Sequence, residues 1–277
     1  MSNHTLMLYA SLEASKQTNG PAAFAVGVAA ALGAHLDVLV PYTDFLMPGT
    51  WDGRSAEKIE QETAVRRQNT TALAEAIAAH ARERGVPVST LTDWAHAFGL
   101  APFVGDRAKL HDFTVTGVDH SIFLGERQVA EHVLFESGRP VVIVPNRHAE
   151  PFACRRVMVA WDHSRTAARA FHDSLPFLRL AEQITLVAVG GEKRFQSSPD
   201  PATIETALAR KGLNARFEQI HLGDASIGSA LQEHALQCGA DLLVMGAYGH
   251  SRLREFILGG ATREVLDDPQ LPVLMSH

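Results

Sequence analysis

The chain repeats itself, and the repeat constrains its fold more than any other feature. His111-Asp-Phe-Thr-Val-Thr-Gly117 matches Ala240-Asp-Leu-Leu-Val-Met-Gly246; each is a short β-rich run that follows a helix-like segment and ends in glycine. Val133-Leu134 ahead of Pro140-Val-Val-Ile-Val144 matches Val265-Leu266 ahead of Pro272-Val-Leu-Met275. The openings also match, Leu6-Met-Leu-Tyr9 against Val157-Met-Val-Ala160. Such self-similarity predicts two tandem units. Their expected bounds are 1–147 and 152–277, joined by the polar stretch Pro145-Asn-Arg-His-Ala-Glu-Pro151. A chain of 277 residues is long enough for each unit to bury its own core.

Within each unit the hydrophobic period alternates between strand and helix. In the second, Val157–Trp161 is a continuous apolar run that suits a strand buried on both faces, and Ile184–Val189, Phe217–Leu222, Leu242–Met245 and Pro272–Met275 read as further strands. Ser164 reads as the N-cap of one helix from Arg165 to about Leu180, with Ala168, Phe171, Leu175 and Leu178 on a single face. A helix carrying Ile204 and Leu208 stops at Gly212, and two more are expected at about 227–238 and 261–267. The first unit offers strands near 6–10, 36–40, 86–92, 113–117 and 140–144. It adds a long connection from Thr43 to about Arg54 and a charge-rich amphipathic helix from about Ala56 to Arg84. The fold class is therefore α/β: two tandem open-twisted five-stranded parallel sheets, Rossmann-like, covered by helices on both faces. Ligands bind such sheets at the carboxyl ends of their strands.

The richest stretch for chemistry runs from Gly246 through Gly249 and His250 to Gly259, Gly260, Ala261 and Thr262. Gly246 and Gly249 follow directly on a strand, where a nucleotide can approach the backbone only if Cβ atoms are missing. Gly259-Gly260 precede a helix whose first N–H groups and dipole suit phosphate. Arg252 and Arg254 lie between and offer positive charge. Asp162, at a strand-to-helix turn, reads equally as a helix cap or a ligand group.

This segment resembles the ATP-binding signature of the universal stress protein family: glycine, two residues, glycine, nine residues, glycine, then serine or threonine. The second unit is similar to that family over nearly its whole length, and the chain looks like a tandem member of adenine nucleotide α-hydrolase-like fold. The resemblance implies that Asp162 and Val189 hold adenosine and that Ala160, Trp161 and Met245 line the base and ribose. It places Gly249, Gly259, Gly260, Ala261 and Thr262 in the phosphate cradle. The implied cofactor is ATP or a related adenine nucleotide, with or without magnesium. Gly260 departs from the pattern, which has a hydroxyl residue there, so metal coordination and hydrolysis are less supported than binding. The first unit has Ser11 in place of Asp162, a stretch from Gly117 to Val133 three residues shorter than its counterpart, and no paired glycines. It is expected to keep the fold without the cradle, leaving one nucleotide per chain.

Other chemistries lack their residues. There is no GxxxxGK[ST], no GxGxxG after a first strand, no GxSxG and no HExxH. The 14 histidines are scattered, so no metal site and no catalytic set are expected. Asp-His-Ser occurs at 119–121 and 162–164, where adjacent residues cannot form a triad. Two classes of function remain. One is a stress-response protein that binds nucleotide and responds to it; the other is a slow ATPase or phosphoryl-transfer enzyme at the same site, with His250 the only candidate base. A net charge of −6 disfavours nucleic-acid and anionic-membrane partners. Cys154 and Cys238, the two cysteines, sit in no CxxC and read as reduced thiols. With no signal peptide or membrane span legible, a cytoplasmic protein is expected. The apolar closing strands are poor exposed edges, so the two units are expected to pair within the chain, and a homodimer is a weaker expectation.

Overall fold

Strands that are buried along their whole length need covered faces on both sides, which parallel crossovers supply. In the computed structural model, Phe113–Thr116, Val141–Ile143 and Val273–Ser276 are strands of this kind. The structure describes residues 4–12, 19–44, 56–118, 125–190, 199–247 and 260–277. Contacts divide the chain into unit one, Met1–Arg139 with Asn146–Phe152, and unit two, Pro140–Pro145 with Ala153–His277. Among the described residues no helix is long and apolar enough to cross a membrane.

Unit one opens with β1 (Thr5–Tyr9), α1 (Pro21–Leu32), β2 (His35–Leu39), β3 (Tyr42–Asp44) and α2 (Ala56–Glu83). β4 (Val88–Leu91), β5 (Trp94–His96), α3 (Leu100–Ala108), β6 (Phe113–Thr116) and α4 (Glu126–Glu136) follow. Its four main strands lie in the order β6-β1-β2-β4, all parallel. The charged helix expected near 56–84 is α2. Two short strands, β3 and β5, pair with each other in a separate parallel ribbon. At three residues each they are too short to show a period in the sequence. The next strand, β7 (Val141–Ile143), closes the first sequence repeat but groups with unit two.

Unit two continues with β8 (Arg156–Ala160), α5 (Arg165–Asp173), α6 (Leu175–Leu178), β9 (Gln183–Gly190) and α7 (Pro201–Ala209). It ends with β10 (Ala215–His221), α8 (Ile227–Gln237), β11 (Leu242–Gly246), α9 (Gly260–Asp267) and β12 (Val273–Ser276). The strand order is β10-β9-β8-β11-β12-β7. All these pairs are parallel except the last, in which Val273, Leu274 and Met275 face Ile143, Val142 and Val141 antiparallel. The single helix expected from Arg165 to about Leu180 is in fact two. Ser174 ends α5 by donating its hydroxyl to Phe171 O at 2.9 Å, and Pro176 stands in the first turn of α6. Proline has no N–H, and its ring collides with the carbonyl four residues back, so the helix restarts there.

Order reverses between β8 and β11, the first and fourth strands of the second sequence repeat. α5 packs against this junction so closely that a Cβ at Gly246 would lie 2.5 Å from both Ala167 N and Thr166 C. Those atoms are backbone and cannot swing away. Gly246→Ala should therefore cost about 1–3 kcal/mol through overpacking. Urea unfolding would show it as a lowered midpoint, and an unchanged midpoint would contradict the contact.

Cys154 is buried, and its thiol donates to Phe177 O at 3.4 Å. Burial first, and then the Asp241 carboxylate, push this thiol up to about 12, so it stays protonated and unreactive at pH 8. Cys238 is only half-buried. A disulfide reagent at pH 8 should accordingly modify one thiol of the native chain quickly, and peptide mapping should find the label on Cys238. Rapid labelling of Cys154 would contradict this packing.

Candidate functional site

Strand order reverses at β8 and β11, so the crevice in which an open α/β sheet usually takes its ligand falls at the carboxyl ends of these strands. Trp161 continues β8, its N–H donating to Val187 O at 2.8 Å. Its indole Nε1–H donates to His163 Nδ1 at 3.2 Å, and its ring stands edge-on to Phe171, with centroids 6.4 Å apart. Asp162 Oδ1 accepts the Ser164 N–H at 2.9 Å. Ser164 Oγ in turn accepts the Ala167 N–H at 3.0 Å, which makes it the N-cap of α5, as its sequence position predicts. His163 has a φ of 61°, the only positive value outside glycine among the described residues. The turn from β8 to α5 thus needs a left-handed step, and it falls beside Asp162. Such outliers are uncommon and tend to gather at functional sites.

Ala160, Trp161 and Asp162 stand together at the end of β8, and each is half-buried. Val189 is near the end of the neighbouring β9 and is also half-buried. Met245 and Gly246 end β11, but their surroundings differ from expectation. Met245 is 3% exposed and belongs to the core. The space beside Gly246 is filled by α5 backbone, which accounts for glycine there without a ligand. Gly260, Ala261 and Thr262 form the first turn of α9. Because α9 joins the end of β11 to the start of β12, its N-terminus faces the carboxyl side of the sheet, and its first N–H groups have no partner within the helix. Among the described residues nothing lies within 4 Å of where a Gly260 Cβ would be, whereas Thr262 is buried. No acidic residue occupies this first turn. Gly249, His250 and Gly259 lie outside the described residues, as do Arg252 and Arg254.

The corresponding place in unit one is built differently. Ser11 follows β1 where Asp162 follows β8, and its hydroxyl donates to Glu126 Oε1 at 3.1 Å. Glu126 is fully buried and is the first residue of α4. Its other oxygen accepts from Asn146 Nδ2 at 3.1 Å, and the same amide also reaches Val118 O at 2.9 Å. A Cβ at Gly117 would collide with both Asn146 and Glu126. A carboxylate of the protein's own thus sits at the helix start, where negative charge is favoured. In the sequence, Glu126 looks like any acidic residue in a first helical turn.

The family model described as Universal stress protein family matches residues 153–277. Universal stress protein Slr1230 of Synechocystis sp. is 27% identical over 146 residues, 52% of this chain and 49% of that protein. The chain thus spans about half the length of this curated relative. A solved universal stress protein from Archaeoglobus fulgidus DSM 4304 covers 98% of this chain and is itself 95% covered, at TM-score 0.71 and 16% identity. A functionally unknown protein, PA1789 of Pseudomonas aeruginosa PAO1, covers 99% of the chain and is 92% covered, at TM-score 0.59 and 16% identity. At such identities the two structures establish a shared fold. Residues 153–277 thus match the universal stress protein family, and nearly the whole chain shares the fold of the two solved structures.

Proposed function

We propose that residues 153–277 bind an adenine nucleotide, ATP, across the ends of β8 and β11. In this reading the chain acts as a nucleotide-responsive binding protein of the stress response, not as an enzyme. The observation that carries it is the contrast between two equivalent helix starts. In unit one the start of α4 holds the buried carboxylate of Glu126. In unit two the first turn of α9 has no acidic residue, and among the described residues nothing lies within 4 Å of where a Gly260 Cβ would be. A helix start that lacks its own anion suits an external one such as phosphate. Asp162 and the end of β9 at Val189 stand on the side of the crevice where adenosine would lie. Trp161 offers an aromatic wall. Gly249, Gly259 and His250 enter through the glycine spacing alone.

In unit one the equivalent place is taken by Ser11, Asn146 and Glu126, which hydrogen-bond to one another. Equilibrium dialysis of the full chain with labelled ATP should give one nucleotide per chain. A value near two would overturn the assignment. Gly260→Glu gives α9 the acid that α4 has, at a position with space for a side chain. Two like charges about 4 Å apart at an effective dielectric of about 20 repel by roughly 4 kcal/mol. ATP affinity should therefore fall at least about 10-fold, with the melting temperature unchanged. Undiminished affinity in the folded variant would refute binding at this helix start. Asp162→Ala should weaken binding as well, and wild-type protein should show no turnover above the buffer rate; hydrolysis lost with Asp162→Ala would favour the enzyme instead.

A further inference from the structure

Away from the crevice, at the C-terminal end of α8, unit two brings together three metal-ligating side chains that no role above uses. Glu218 comes from β10, and His234 and Cys238 come from the last turn of α8 and the residue that caps it. Their ligand atoms all lie within 4.8 Å of one another. His234 Nε2 is the common vertex, 3.2 Å from Glu218 Oε2 and 3.5 Å from Cys238 Sγ. We propose that Glu218, His234 and Cys238 form a binding site for a zinc-class divalent cation, with water completing the coordination.

Three arguments carry the site. The first is geometric. A tetrahedral zinc with Zn–N and Zn–O near 2.0–2.2 Å and Zn–S near 2.3 Å puts neighbouring ligand atoms roughly 3.3–3.6 Å apart. The two distances from Nε2 fit those edges almost as they stand. The second is the count of protons. One imidazole nitrogen carries either a proton or a lone pair. If protonated, Nε2 donates to the Glu218 carboxylate and cannot accept from the Cys238 thiol; if bare, it accepts from the thiol and faces the carboxylate lone pairs. A cation among the three satisfies them together, and the thiol gives its proton to solvent on binding. The third is electrostatic. The C-terminal end of α8 carries partial negative charge and favours a cation. Arg216 Nε holds the remaining oxygen of Glu218 at 3.0 Å, which orients Oε2 towards His234 as an outer partner orients a ligand.

The donor set chooses the metal class. Thiolate with imidazole selects zinc and its neighbours over magnesium or calcium, which prefer oxygen alone. His234 and Cys238 are four apart on one helical face, and Glu218 is supplied by the strand before that helix. The side chains of His234 and Glu218 are 21% and 30% exposed, so an ion can enter from solvent. The site would tie β10, the last strand in the order of unit two, to the end of α8.

Cobalt(II) tests this in the reduced full-length chain, because a bound thiolate gives it a ligand-to-metal charge-transfer band. One equivalent should produce the band and zinc should remove it. Cys238→Ser should abolish it, whereas Cys154→Ser should leave it intact. His234→Ala should weaken zinc affinity by at least about 100-fold, beyond the roughly 10–100-fold that loss of an outer-shell partner costs. This second variant keeps both thiols and decides the matter should Cys238→Ser fold poorly. Zinc should also protect Cys238 from alkylation. Cobalt bound without the band would mean histidine binding elsewhere and would overturn the proposal. A band that survives Cys238→Ser, or zinc affinity unchanged in His234→Ala, would do the same.

Discussion

The contact between the first turn of α5 and the end of β11 holds the crevice of unit two in place. It is backbone against backbone, made possible by the missing Cβ of Gly246. Because α5 must sit this close, the chain has only residues 161–164 in which to leave β8 and start a helix. The left-handed His163 and the bond from Ser164 N–H to Asp162 Oδ1 are how it turns in that space. Asp162 is therefore both a turn-holding residue and a candidate ligand group. The cap of α5 is Ser164, not Asp162, which instead holds the turn before the cap through Oδ1.

The two repeats answer one electrostatic problem in two ways. Every strand-to-helix crossover in a parallel sheet aims a helix N-terminus at the carboxyl edge, where free N–H groups and the dipole favour an anion. Unit one supplies the anion from its own sequence, by burying Glu126 against Ser11 and Asn146. Its counterpart leaves α9 without an acid and puts glycine first. Burying a carboxylate is costly unless hydrogen bonds surround it, and the Ser11 and Asn146 bonds offset that cost. Asn146 comes from just beyond β7, in the joint between the repeats. The residue that fills the crevice of unit one and the residue that holds it there thus lie 20 positions apart.

The alternation of apolar strand and amphipathic helix was legible because burial on both faces leaves a continuous apolar run that few other structures tolerate. The long elements therefore fell close to where their residues pointed. Short or interrupted elements did not. β3 and β5 are held by their pairing with each other and not by any local pattern. The break at Ser174 was hidden because Phe171, Leu175 and Leu178 keep a helical period across it, although Pro176 was in plain view. In the site, Asp162, Gly260 and Thr262 could be found from motif spacing, since spacing fixes their place on a turn or a first helical turn. The reason for Gly246 could not, because it depends on an α5 atom about 80 residues earlier in the sequence. Glu218, His234 and Cys238 were equally hidden: only the pairing of β10 beside the end of α8 makes them neighbours.

The start of α9 owes its position to a glycine outside the glycine motif. α9 leans on α8, where Ser226 Oγ donates to Glu264 Oε2 at 2.6 Å and Gln270 N–H donates to Gln232 Oε1 at 2.7 Å. Between these bonds, a Cβ at Gly228 would lie 2.5 Å from Glu264 Oε2, 2.9 Å from Glu264 Cβ and 3.0 Å from Ala261 O. The last of these is backbone in the first turn of α9, so a side chain at 228 would push the helix start itself. Among the described residues nothing crowds Gly260 at that start, and Gly228 sets where the start lies. The first turn of α9 therefore depends on glycine twice, once within it and once behind it on α8, and a motif read along one loop records only the first.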